Sequence, residues 1–183
     1  MIEVVDYDTA WPQRFEQLRA TVWPAVSDIA IAIEHVGSTS VPGLAAKPII
    51  DVDAIVLTSP SSMKTVIASL TRIGYEHQGD LGVPGREAFR NGPPDLPPHH
   101  LYSCIEDCVA LRNHLVVRDF LRAHPDVARE YGELKKRLAR GFPDDIDSYI
   151  AGKTDLLCRI LALSGMPAGE IAAVRGANIG LQS

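Results

Sequence analysis

Apolar residues recur along this chain at two periods, and the change from one to the other divides it. Phe15, Leu18 and Val22 follow Trp11-Pro12 at helical spacing, and proline suits a first helical turn, so a helix is predicted there. Residues 28–36, DIAIAIEHV, alternate and predict a strand; residues 49–57, IIDVDAIVL, predict a second, apolar apart from two aspartates. Residues 61–73 read as a helix stopped by Gly74. Residues 75–78 and 86–89 are short strands around a glycine-rich turn, and 99–105 form another. Between them NGPPDLPP is excluded from regular structure, because proline removes backbone donors.

From residue 109 the pattern becomes helical. One helix covers 109–123, a second opens at Pro125 and carries Val127, Tyr131, Leu134 and Leu138, and a third covers 147–163 before Gly165-Met166-Pro167. The expectation is a single α+β domain, 1–183, with a sheet-containing part over about 1–107, a helical part over about 108–166 and a loose tail over 167–183.

Composition narrows the function classes. The chain is 46% hydrophobic and 22% charged, ordinary for a folded domain. A net charge of −5 argues against broad nucleic-acid or membrane binding, while 18 Lys and Arg leave room for a local basic pocket. The first residues lack a signal peptide's charged start and apolar run, and no apolar stretch is long enough to span a bilayer. Cys104, Cys108 and Cys158 are an odd set, read as buried reduced thiols, so a cytoplasmic location is predicted. The C-x₃-C spacing after His99-His100 does not suit structural zinc.

The chemistry concentrates between residues 37 and 53. Gly37-Ser38 follows a strand directly, so its backbone N–H groups can face an anion. Thr39 and Ser40 add hydroxyls, and Lys47 offers a point charge to a phosphate. Asp51 and Asp53 lie two apart on a strand, hence on one face with Cα atoms about 6.6 Å apart. Hard oxygens so placed suit Mg²⁺, which takes one or two carboxylates plus substrate phosphates; the alternative is a loop cap for one and a pair with Arg86 or Arg90 for the other. In HHLYSCI the aliphatic set Leu101, Ser103 and Ile105 predicts the buried side, placing His100 and Tyr102 on the other face. His100 is thus a candidate metal ligand or base, against the alternative of a hydrogen-bonded histidine in a polar sheet face. His35 is a further candidate to line the pocket. The helical half carries Arg118, Arg122, Lys135, Arg137 and Lys153 on faces read as solvated. Tyr131/Lys135 and Tyr149/Lys153 each share a helix face, one of which is a candidate to close over a nucleotide. Neither a G-x-S-x-G elbow, a Walker A spacing nor a G-x-G-x-x-G is present.

The stretch IEHVGSTSVPGLAAKPIIDVDAIV, with YDTAWPQRF, GYEHQG, GREAFR, HHLYSC and LVVRDFLRAHPDVAREYGELKKRLA, closely resembles the GrpB family over about residues 3–162. The resemblance implies membership of the polymerase-beta-like nucleotidyltransferase superfamily, marked by a Gly-Ser turn followed by an Asp-x-Asp strand. It implies a nucleotidyltransferase-like mixed β-sheet with flanking helices. Gly37 and Ser38 match the phosphate-binding turn; Asp51 and Asp53 match the first two metal-binding carboxylates. The third acid of that pattern is missing: the matching strand offers His99, His100 and Tyr102, leaving Glu87, Glu106 and Asp107 as substitutes. A similar domain is joined to a dephospho-CoA kinase in some bacteria; no kinase portion occurs here. The expected function is Mg²⁺-dependent nucleotidyl transfer from a nucleoside triphosphate to a small acceptor. The competing expectation is a domain of the same fold that binds a nucleotide or other phosphorylated small molecule without turnover.

Overall fold

The computed structural model describes residues 1–56 and 60–180, leaving aside the side chains of 54–56 and 60. Pro12 lies in the first turn of α1 (Trp11–Val26), whose stripe of Trp11, Phe15, Leu18, Val22 and Val26 is buried. There follow β1 (Ala30–Val36), one 3-10 turn (Ser38–Ser40), β2 (Ile50–Val56), α2 (Pro60–Arg72), β3 (Tyr75–His77), β4 (Arg86–Asn91) and β5 (His99–Ile105). Then come α3 (Val109–Ala123), α4 (Pro125–Gly141), α5 (Ile146–Leu163) and α6 (Ala168–Ile179). The architecture is α+β with a mixed sheet, as the sequence predicts. Leu57, the last residue of the predicted second strand, lies outside the described residues.

Residues 168–179 depart from the expected loose tail. Pro167 precedes the first helical turn and Glu170 lies in it, both favourable at a helix start. Gly169 and Gly176 and a single buried residue, Val174, deprive this helix of the apolar stripe by which sequence recognises one.

The chain divides into two units. One comprises Ala10–Val36 and Ile49–Arg112 and contains the entire sheet; the other comprises Met1–Thr9, Gly37–Pro48 and the chain from Asn113 onward. This differs from the expected sheet part of about 1–107, because the 37–48 connection belongs with the helices. Val41 and Leu44 share one buried cluster with Leu121, Ala128, Tyr131, Leu156 and Ile160. Val5 and Ala46 exchange both backbone hydrogen bonds, at 2.9 and 3.0 Å, bringing the first residues into the same unit. Burial of two large aliphatics outweighs the sequence proximity of the connection to the strands.

In the sheet unit the strand order is β1-β2-β5-β4-β3; β2 and β5 are parallel and the other neighbours antiparallel. Period-two alternation and this register sort the side chains by face. Ile33, His35, Ile50, Val52, Phe89, Leu101, Ser103 and Tyr75 share the face packed by α1 and α2. Glu34, Asp51, Asp53, Ala88, His100 and Tyr102 share the other. Among the described residues no helix is long and apolar enough to cross a membrane.

Candidate functional site

The carboxylate face begins with register. Asp51 pairs with His100 and Asp53 with Tyr102 across the parallel β2–β5 ladder, so each pair projects to one side. His100 Nδ1 donates to Asp51 Oδ1 at 2.9 Å. This bond fixes the imidazole tautomer and leaves Nε2 available on a side chain 45% exposed. Asp51 is 30% exposed, whereas Asp53 is fully buried. A buried carboxylate is costly without cations or donors nearby. Arg86 lies on the same face, its guanidinium 4.6 Å from the Tyr102 ring centroid. Burial, and then the Asp51 charge, push the Tyr102 phenol above its usual range, so it remains a neutral donor. Arg90, the other candidate partner of an aspartate, donates instead to Glu76 at 2.8 Å.

Two candidates leave this face. His35 stacks on Phe15 of α1 at 4.7 Å between centroids and 8° between planes, on the helix-covered side of the sheet. Glu87 pairs with Ser103, likewise on the helix-covered side, and its Oε2 lies 2.6 Å from His77 Nε2, so it does not supply a third acid beside Asp51 and Asp53. Glu34 is the acid that sequence reasoning missed: it pairs with Asp53 across the antiparallel β1–β2 ladder, on the same face. Its parity with Val36, the last residue before the Gly37 turn, was the available signal. Among the described residues no group of three or more His, Cys, Asp or Glu is arranged to hold a metal ion by itself. Asp51 and Asp53 nevertheless present two hard carboxylates from one strand face, the donor type that Mg²⁺ takes one or two of.

The second set of predicted residues belongs to the helical unit. Gly37, one peptide bond beyond Val36, has φ 69 and ψ −173, a left-handed conformation open to glycine at least cost. Ser40 closes the turn, its N–H and its hydroxyl both donating to Gly37 O, at 3.3 and 2.6 Å. Thr39 is buried. Ser38 is the hydroxyl of the turn that meets a cation: Lys135 Nζ of α4 donates to its Oγ at 2.7 Å. Lys135 is only 2% exposed and lies 4.5 Å from the Tyr131 ring centroid. It is thus part of the loop's surroundings and not of a solvated helix face. Arg122 of α3 anchors the turn by two donations to Ser40 O, at 3.1 and 2.8 Å. Lys47 and Lys153 flank one buried ring, Tyr149, at 5.9 and 5.4 Å, and burial raises that phenol to about 12. In an otherwise acidic chain, one lysine and one arginine thus contact this turn, Lys135 at Ser38 and Arg122 at Ser40.

Comparison with known proteins places the fold in a class. The fold resembles that of the Cid1 poly(U) polymerase solved with MgGTP bound, at a TM-score of 0.54 and 13% identity, covering 75% of this chain and 44% of that one. The fold is therefore nucleotidyltransferase-like. Residues 1–162 match the family model described as GrpB protein, and the chain belongs to that family. It is similar to the GrpB crystal structure from Enterococcus faecalis, with a TM-score of 0.76 and 36% identity over 88% of this chain and 98% of that one. It is 37% identical over 154 residues to UPF0157 protein YqkA of Bacillus subtilis, matching 84% of this chain. The match spans 44% of that relative, less than half its length.

Proposed function

We propose that this chain transfers a nucleotidyl group from a nucleoside triphosphate to a small acceptor. The observation that carries the reading is the β2–β5 ladder, which sets two same-strand carboxylates beside a histidine hydrogen-bonded to one of them. Asp51 and Asp53 are the residues to hold Mg²⁺, which when bound neutralises charge at the α-phosphate. In the helical unit, Gly37 and Ser38 are the residues to bind phosphate, with Lys135 on Ser38 Oγ as countercharge. Thr39 and Ser40 shape the turn, the first from within the core and the second by holding Gly37 O.

His100 has its Nδ1–H committed to Asp51 and so presents Nε2 as the base. The acceptor hydroxyl gives its proton to Nε2 while its oxygen attacks the α-phosphorus. The bond to the bridging oxygen breaks and pyrophosphate leaves. Tyr102, kept protonated, does not compete for that proton.

The experiment is pyrophosphate release on mixing the chain with Mg²⁺, each nucleoside triphosphate and the small-molecule fraction of a bacterial extract. Release that depends on the triphosphate and falls at least about 100-fold in His100→Ala is expected, the loss typical of a general base. No release with any triphosphate would contradict turnover.

A further inference from the structure

The turn joining β5 to α3 holds a feature that nucleotidyl transfer does not use. Cys108 immediately precedes α3, and its Sγ accepts the N–H of Leu111 at 3.5 Å. The N–H of Ala110 is a second donor to the same sulfur. This is N-cap geometry with sulfur in the place of a hydroxyl oxygen, at the positive end of a 15-residue helix. The Cys108 N–H bonds to Ile105 O at 3.1 Å, which folds the chain back so that Cys108 meets the side chain of Cys104. Gly85 allows this approach: a Cβ there would stand 2.7 Å from Cys108 Cβ, and its φ of +81 is itself a glycine conformation.

The two thiols differ in setting. Cys104 is fully buried on β5, opposite Arg86, while Cys108 is half-buried. The Cys104 thiol donates to the Cys108 sulfur, and with the α3 N–H groups this lowers Cys108 to about 6. The same bond, and then burial, push Cys104 up. A nucleophilic thiolate with a neighbouring thiol to resolve it is the arrangement of a peroxide-sensitive pair.

We propose that Cys104 and Cys108 form a redox-modification site that a hydroperoxide closes to a reversible disulfide. Cys108 thiolate attacks one peroxide oxygen, the O–O bond breaks, and hydroxide leaves. The sulfur is oxidised by two electrons to a sulfenic acid. Cys104 sulfur then attacks Cys108 sulfur; its thiol proton joins the departing hydroxyl, and water is released with the S–S bond. The bridge takes the thiolate acceptor away from the first turn of α3, so that turn is less well capped in the oxidised protein.

The test treats the whole chain with hydrogen peroxide, blocks remaining thiols with iodoacetamide, and reads tryptic peptides by mass. Residues 91–112 fall in one peptide holding both cysteines. It is expected to lose two hydrogens, to escape alkylation, and to regain both thiols on treatment with dithiothreitol. In Cys104→Ser, Cys108 should stop at the sulfenic acid and react with dimedone. Without peroxide, Cys108 should alkylate at least about tenfold faster than Cys104 at neutral pH. Alkylation of both thiols after peroxide, or irreversible oxidation of Cys108 with Cys104 left free, would overturn the assignment. Wild-type protein decides between these outcomes even if the variant folds poorly.

Discussion

Changing Asp51 and Asp53 together to asparagine is expected to weaken Mg²⁺ or Mn²⁺ binding at least about 100-fold. Removing a partner that only orients a ligand typically costs about 10–100-fold in metal affinity, and these two side chains are proposed as the ligands themselves. Asparagine preserves volume, and its carbonyl still accepts from His100 Nδ1, so the local geometry at Asp51 has a neutral counterpart. The change therefore removes charge while keeping shape. Isothermal titration of wild type and double variant measures it, with circular dichroism showing that both fold. Equal affinities would take the β2 carboxylates out of the site.

Lys135→Met should cost about 1.5–3 kcal/mol of triphosphate affinity, the worth of a hydrogen bond to a charged group, and leave nucleoside affinity unchanged. Lys135 Nζ sits on Ser38 Oγ, within a cation–π contact of Tyr131, and almost wholly out of water. Methionine follows the same aliphatic path without the ammonium. The two readouts separate roles: a structural lysine would lower thermal stability and affect both ligands alike, whereas a phosphate countercharge discriminates between them. Titration of each protein with a nucleoside triphosphate and its nucleoside checks this.

Much of the sheet was readable because its information is local. HHLYSCI occupies β5 over the span predicted, and its alternation places His100 and Tyr102 away from Leu101 and Ser103. The pairing of His100 with Asp51 needed one further fact, that β2 and β5 are parallel neighbours, which no turn signal encodes. Glu34 escaped for the same reason: only the β1–β2 register sets it opposite Asp53. Lys135 carried two readings, solvated helix surface and a face shared with Tyr131, because helical spacing alone does not say which charges turn inward. Tertiary packing decides: Lys136 reaches Asp6 at 2.7 Å on the exposed side, while Lys135 turns inward to Ser38. The 37–48 connection fell within the expected sheet part, about 1–107, because it joins two of the predicted strands. Its Val41 and Leu44, buried with α3, α4 and α5 residues, make it part of the helical unit.

Recognition of a nucleotide's phosphates is read out by calorimetric titration of the chain. Nucleoside triphosphates are compared with their nucleosides, each with and without Mg²⁺. Triphosphate binding is expected to be at least about tenfold tighter than nucleoside binding, roughly 1.4 kcal/mol, with the preference reduced in Ser38→Ala and dependent on Mg²⁺. Affinity indifferent to the phosphates, or a preference that survives both Ser38→Ala and removal of Mg²⁺, would contradict it.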